Sequence, residues 1–376
     1  MKKIRVAHLT SVHSVEDNRI FYKECKTLAR QEKYEVYLIC AGAKSRFNEG
    51  IRIIGYPKAK NIIKRMIKTS FIDMIQYCLK IKADIYHFHD PELIIVGILL
   101  KILGKKVIYD IHENNPADLL NKPYIKNKLI RKIISFLFDK FEKFIVKYFD
   151  AIIVARPDIK TRIKHQNLVV LRNYPKLSSL KQIQNIYLDK NRPSLIYVGG
   201  INKIRGIEIL LEAFKQLDSY ELWLLGPITE KSIKKKLEIS TNVKYLGIVK
   251  PDRVYSYIIK ADAGIITFLP APNHNRTLAT KPFEYMACGK PIIMSNFPYW
   301  KKKFKDGAIY VNPNDPEEIA NAIKKLFNNK EKMIHMGKLN KKLVIKKFNW
   351  EKESIKLISL YERLIFDDFT ITKKGK

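Results

Sequence analysis

Cysteine is scarce: Cys25, Cys40, Cys78 and Cys288 stand far apart, with no Cys-x-x-Cys pair. That excludes a disulfide framework and a cysteine zinc site, and it suits a reducing compartment. Long apolar runs are lacking too. The longest, Ile94 to Leu100, falls far short of the roughly 18 residues needed to span a bilayer. The run after Met1-Lys2-Lys3 is too short for a signal peptide. A soluble or peripheral protein is expected. Neither Gly-x4-Gly-Lys-Ser/Thr nor Gly-x-Gly-x-x-Gly occurs, so the P-loop and the dinucleotide fingerprint are both absent. Acidic residues are few, with 37 Asp and Glu against 71 Lys and Arg, a net charge of +34. Such a balance calls for an anionic partner: nucleic acid, an anionic membrane or a phosphorylated substrate. The Lys/Ile/Asn bias of an AT-rich genome is a competing source of the same charge.

What is present is enough for two folded domains: 376 residues, 46% apolar and 11% aromatic. Short apolar strands are predicted at Ile4–Thr10, Val36–Ala41, Ile51–Tyr56, Asp84–His89, Val107–Ile111, Ala151–Ala155 and Leu168–Leu171, separated by helical segments. This alternation predicts an α/β doubly wound parallel sheet covered on both faces. From Asn173 to Pro193 the period is lost. It restarts with strands at Leu195–Val198, Glu221–Leu225, Val243–Leu246, Gly264–Phe268, Ile292–Met294 and Ala308–Val311. The expected organisation is residues 1–172, a linker 173–193 and residues 194–349, with a helix over 350–366 able to pack back on the first domain. Two Rossmann-like halves imply a cleft between them, with ligands at the carboxyl ends of the strands.

Three places carry chemistry. Tyr197-Val198-Gly199-Gly200-Ile201-Asn202-Lys203-Ile204-Arg205-Gly206 reads as strand, flexible loop and helix start. Glycines admit a ligand close to the backbone, and Lys203 with Arg205 suit a diphosphate; a plain strand-to-helix turn explains the same residues. Thr280-Lys281-Pro282-Phe283-Glu284 opens a helix of about two turns, closed by Gly289-Lys290-Pro291. A cation at a helix start suits a phosphate, and a carboxylate one turn on suits paired ribose hydroxyls; a self-capped Lys281–Glu284 pair is the alternative. Both places fall in the second domain.

In the first domain, His87 and His89 share one side of a strand ending in Asp90-Pro91. A metal-binding His-x-His needs further ligands, and only eight scattered histidines exist, so these read as strand-end polar groups facing the cleft. His112 and Glu113 follow another strand. The first loop holds His13, Glu16, Asp17 and Arg19. Finally, Lys122–Phe149 and Lys58–Lys82 are basic and amphipathic, fitting either an anionic bilayer or core-facing helices with solvated backs. Nucleic acid is disfavoured, since no recognition motif appears.

Together, Asp90-Pro91-Glu92-Leu93 after His-x-His, the loop ending Arg205-Gly206, and Lys281-Pro282-Phe283-Glu284-Tyr285-Met286-Ala287-Cys288-Gly289-Lys290-Pro291 resemble the family 4 glycosyltransferases. The opening, His8-Leu9-Thr10 through Asp17-Asn18-Arg19-Ile20-Phe21-Tyr22-Lys23-Glu24, is similar to the branch found in bacterial capsule, exopolysaccharide and O-antigen clusters. The resemblance implies the GT-B fold, two Rossmann-like domains facing each other across a cleft, and retaining transfer without metal or other cofactor. It implies a nucleotide-diphosphate sugar donor, UDP-linked, and a polyprenyl-diphosphate-linked glycan acceptor, with the protein cytoplasmic and peripheral on the inner face of the plasma membrane. It gives Arg205 and backbone N–H groups near Ala279–Lys281 the donor diphosphate, Glu284 the ribose and His112 a place near the transferred sugar. Joined to the loop and strand-end readings above, this makes Gly199, Gly200, Lys203, Arg205, Arg276, Ala279, Thr280, Lys281 and Glu284 the expected donor side, His112, Glu113 and Asp17 the expected reacting centre, and His13, Arg19, His89 and Asp90 the expected acceptor side. Two departures stand out: Arg276 occupies the position of the family motif's first acid, and Gly200 replaces a frequent arginine. The alternatives are a sugar-nucleotide 2-epimerase of the same fold and, from a different class, a basic nucleic-acid-binding protein.

Overall fold

The structure is a computed structural model that describes residues 3–120, 127–271, 274 and 277–373, with the backbone alone at 182 and 366–373. It divides into two compact units, Met1–Asn173 with Lys352–Lys376, and Tyr174–Glu351.

The first unit is built on β1 (Ile4–Thr10), β2 (Tyr34–Ala41), β3 (Arg46–Asn48), β4 (Ile51–Tyr56), β5 (Ile85–Phe88), β6 (Lys106–Ile111), β7 (Ala151–Val154) and β8 (Leu168–Val170). Their order is β3-β4-β2-β1-β5-β6-β7-β8. Every pairing is parallel except that of β3 with β4, a short edge hairpin that sequence periodicity had not shown. Strands β5 and β7 are buried along their whole length, as expected for a sheet covered on both faces. The core gathers Ala7, Leu9, Ile39, Phe88, Tyr109 and Ile152, among others.

The second unit carries β9 (Ser194–Val198), β10 (Glu221–Leu225), β11 (Val243–Tyr245), β12 (Ala263–Ile266), β13 (Ile292–Ser295) and β14 (Ala308–Val311). All are parallel, in the order β11-β10-β9-β12-β13-β14. The chain over 173–193 packs onto this unit: Tyr174 is buried against Phe283 and Phe348, and Gln184 N–H bonds Ser256 Oγ.

In both sheets the strand order reverses at the first strand, between β1 and β5 and between β9 and β12, with the strands themselves parallel. In open α/β sheets these reversals leave a crevice at the strands' carboxyl ends, where ligands bind. Each group of candidate residues lies at one of them.

Two elements differ from the periodic reading. Ile20–Gln31, expected as one helix, opens with a π-helical stretch, Ile20–Cys25, before an α-helix over Lys26–Ala29. The Lys128–Ile145 helix turns its apolar stripe outward. Its buried side chains are Ser135, Glu142 and Ile145, whereas Leu129, Ile133, Phe136, Leu137, Phe141 and Phe144 are exposed. The reason is a polar anchor: Glu142 accepts from Tyr109 Oη (2.8 Å) and Asn115 Nδ2 (2.9 Å) and pairs with Arg162. Ser135 Oγ donates to the Pro116 carbonyl at 2.7 Å. Fully buried Glu142 is stabilised by these partners, so the helix is held with much of its apolar face in solvent among the described residues. The start of this segment, 122–126, lies outside the described residues.

Candidate active site

In the first unit the period of two along a strand puts His8 with Thr10, His87 with His89, and Asp110 with His112 on shared faces. Parallel register sets His8 opposite His87. The π-helical stretch starting at Ile20 follows a turn capped by Asp17, whose Oδ1 accepts from the N–H groups of Arg19 (2.8 Å) and Ile20 (2.9 Å). Asp17, expected at the reacting centre, is thus first a cap. Burial alone would raise its pKa, but the hydrogen bonds from His13 and from Ile20 N–H outweigh that and hold it well below the carboxylate range.

Arg19 and His89 do not present themselves to an acceptor, contrary to the sequence expectation. Arg19 is 4% exposed. It forks onto Asp110 through Nε (2.8 Å) and Nη2 (2.9 Å) and donates from Nη1 to the Leu171 carbonyl (2.7 Å). His89 is buried between His8, 3.0 Å away, and His112, 3.2 Å away. His87 is also buried, against the Tyr361 hydroxyl at 2.8 Å. Asp90 too is buried; its Oδ2 accepts from Thr10 Oγ1 (2.8 Å), Ser11 N–H (2.6 Å) and Val12 N–H (3.1 Å) and so folds the loop carrying His13. Long runs of apolar strand residues hide these groups from a composition-based reading, because a polar strand-end residue can point into the sheet's own packing.

His13, Asp17 and His112 stay partly accessible, with side chains 31%, 25% and 15% exposed, and the two imidazole centroids lie 5.0 Å apart. Although burial lowers the His13 pKa, its contacts with Asp17 and Asp90 outweigh that and raise it, favouring the imidazolium. Glu113 is exposed, and its Oε2 is engaged by Arg156 Nη1 at 2.8 Å.

Asp110 and Glu24, which carried no role in the sequence reading, are the buried carboxyl groups behind this edge. The Glu24 carboxyl is pushed well up, first by burial and then by the charge of Asp110. His8, Glu24, His87 and His89 each offer a ligand atom within 4.8 Å of the others. Arg19 Nε nevertheless stands 3.0 Å from Glu24 and 2.8 Å from Asp110, placing a full positive charge beside the position a cation would take. The Asp110–His112 spacing of two at a strand end was the signal that would have found Asp110.

In the second unit, β9 runs into Gly199 and Gly200. Asn202 Oδ1 accepts from Arg205 N–H (3.1 Å) and starts a short 3-10 turn, Lys203–Arg205. Gly206 then takes φ +75°, and a Cβ there would lie 1.8 Å from the Thr267 carbonyl oxygen, so glycine is required for the loop to press on the end of β12. Leu269 N–H bonds the Ile204 carbonyl (3.1 Å), and the Arg205 guanidinium lies 4.4 Å from the Phe268 ring centroid. Lys203 is exposed and 3.6 Å from Glu208.

The Lys281–Ala287 helix reaches the same edge. Its Tyr285 hydroxyl accepts from Val198 N–H at 2.9 Å, and the Tyr285 ring fills the space a Cβ on Gly264 would need. Thr280 sits at its N-cap and Ala279 packs partly on the core. Lys281 Nζ bonds both oxygens of nearly buried Glu284, at 2.9 and 2.8 Å. The self-pair is therefore made. It leaves lone pairs on the carboxylate for incoming hydroxyls, since each oxygen accepts more than once. Arg276 lies outside the described residues.

The family model described as Glycosyltransferase Family 4 covers residues 18–172, and that of Glycosyl transferases group 1 covers residues 179–343. The chain is a GT-B-fold glycosyltransferase. The enzyme is 24% identical to an uncharacterised glycosyltransferase of Methanocaldococcus jannaschii, over 90% of this chain and 93% of the other. It is also 24% identical to the putative teichuronic acid biosynthesis glycosyltransferase TuaH of Bacillus subtilis, over 59% of this chain and 58% of that one. Among solved structures, sucrose-phosphate synthase of Thermosynechococcus elongatus superposes with a TM-score of 0.75 at 16% identity, covering 97% of this chain and 100% of that chain. The Anabaena HepE protein in complex with UDP-glucose gives 0.71 at 12% identity, covering 96% and 100%.

Proposed function

We propose that the enzyme transfers a sugar from a nucleotide-diphosphate donor, UDP-linked, to a lipid-linked glycan acceptor during cell-surface polysaccharide synthesis. The observation that carries the donor assignment is the meeting of the Gly199–Gly206 loop and the Lys281–Ala287 helix at the reversal of the second sheet. Arg205 faces the leaving diphosphate and Glu284 the ribose. Cationic side chains and backbone N–H groups near 279–281 meet the charge developing on the leaving group, so the reading requires no metal. Retention of configuration goes with the family resemblance. The UDP-glucose complex of HepE and the teichuronic acid biosynthesis named for TuaH support the donor and pathway class.

Thermal-shift titration in EDTA against UDP-, GDP-, dTDP- and ADP-sugars tests this directly, because binding stabilises in proportion to affinity and concentration. Arg205→Ala and Glu284→Ala should each weaken donor binding at least about tenfold, some 1.4 kcal/mol. Wild-type affinity in both variants sinks the donor site. Turnover that depends on added acceptor separates transfer from epimerisation.

The outward face of the Lys128–Ile145 helix supports a membrane-borne acceptor. Burying a large apolar side chain contributes about 1.5–3 kcal/mol, so leaving six half in water forfeits on the order of 5–10 kcal/mol that a bilayer would return. Lys132, Lys140 and Lys147 are exposed beside it, each contributing about 1 kcal/mol at an anionic surface. No helix among the described residues is long and apolar enough to cross a membrane, so the proposed mode is peripheral, on the inner leaflet. Reversing these three lysines to Glu should cut co-sedimentation with anionic vesicles at least tenfold. Unaltered sedimentation would remove the membrane from the reading.

A further inference from the structure

His112 is the accessible end of a chain of buried hydrogen bonds, and the protons along that chain can be assigned. Asp110 is fully buried. Burial would raise its pKa, but the Arg19 guanidinium and then His112 outweigh it and keep the carboxyl ionised. An ionised carboxylate only accepts. At the 3.0 Å contact between His112 Nε2 and Asp110 Oδ2, the imidazole must therefore be the donor. The neighbouring ring conforms. His89 Nδ1 lies 3.2 Å from that same His112 nitrogen and so accepts from it, which leaves the His89 Nε2–H to donate to His8 Nδ1 at 3.0 Å. Both strands deliver histidines whose inner nitrogens face one carboxylate, and Arg19 supplies the charge that holds it.

We infer that Asp110 is a positioning residue that fixes His112 as the Nε2–H tautomer, so that its Nδ1 accepts a hydrogen bond from a sugar hydroxyl. Among the described residues no partner is found for that nitrogen. The inference rests on the transfer reading for the identity of the hydroxyl, but the tautomer is a property of the enzyme alone. A ring in the other tautomer would present an N–H, to which the hydroxyl oxygen could only accept, so the hydroxyl's own proton would lose its acceptor there. The role of Asp110 is thus to choose which half of the His112 cycle of donor and acceptor faces outward.

The tautomer is read directly by nitrogen NMR of the full-length enzyme labelled with 15N-histidine, with His112→Gln assigning the ring. The expected spectrum shows an unprotonated Nδ1 and a protonated Nε2 for His112; the reverse pattern overturns the inference whether or not any variant folds. Kinetics gives the second arm. Asp110→Asn should lower kcat at least tenfold with donor affinity unchanged, since the donor groups lie in the other unit. In a His112→Ala background the same change should have no further effect on kcat. Additive losses would show that Asp110 acts on the fold and not through His112, and would overturn the assignment. Should the wild-type enzyme bind none of the nucleotide sugars, the transfer reading falls while the NMR result still decides the tautomer.

Discussion

Replacing Arg19 by Leu is expected to destabilise the first unit by about 3–5 kcal/mol, the cost of removing one partner from a buried ion pair. The cation is 4% exposed and forks onto Asp110 at 2.8 and 2.9 Å, with Glu24 3.0 Å away. Without it, the Asp110 carboxylate must take a proton or stay charged in a dry site, and the Leu171 carbonyl loses its donor. Arg19→Lys should recover only part of the loss, because an ammonium cannot reproduce the fork. All three tryptophans, Trp223, Trp300 and Trp350, lie in the second unit, so fluorescence will miss the effect. Amide hydrogen exchange on β1, β5 and β6 reads it. Protection within about 1 kcal/mol of wild type would mean that the pair contributes little and that Asp110 is neutralised cheaply.

The same cluster makes the first unit sensitive to acid. His8 and His87 are held well below 6.5, and His89 is lowered to about 4, burial being the leading cause in each. In the unfolded chain these rings protonate as the pH falls through about 6.5, whereas in the folded unit they stay neutral. The unfolded state therefore binds more protons, and stability present above 6.5 is lost between there and about 4. Glu24 opposes this: its raised carboxyl keeps in the folded unit a proton that the unfolded chain releases above about 4.3. His13, raised, opposes slightly in the same sense. Three protons against one leave a net of about two, or roughly 3 kcal/mol per pH unit near pH 5.5. Exchange protection of β1 and β5 should fall as the pH drops from 6.5 to 5.5, while tryptophan-detected unfolding of the second unit moves much less. Equal shifts in both units would contradict the assignment to this cluster.

How much of this was legible beforehand follows from what each signal measures. Uninterrupted runs such as Ala151–Val154 announced strands buried on both faces. The Gly199–Gly206 turn announced a tight approach, which Gly206 makes against Thr267. The three-residue β3 has no period to detect. The Lys128–Ile145 stripe was legible as amphipathic, yet its direction was not, because direction depends on Glu142 finding Tyr109, Asn115 and Arg162 across the fold. Likewise Arg19 and His89 were legible as polar groups near a strand end, and burial then turned them from contact residues into support.

The sequence alone determined the alternation of strands and helices, the two halves, and the presence of a cation and a carboxylate at one helix start, since these depend on local period and residue type. Only the tertiary structure decided which groups stay in water. It buried Arg19 with Asp110 and left His13 and His112 as the accessible histidines of that edge. Those outcomes depend on contacts between residues far apart in the chain, such as Arg19 with Asp110 and Leu171, and on the desolvation that comes only when the sheet closes over them.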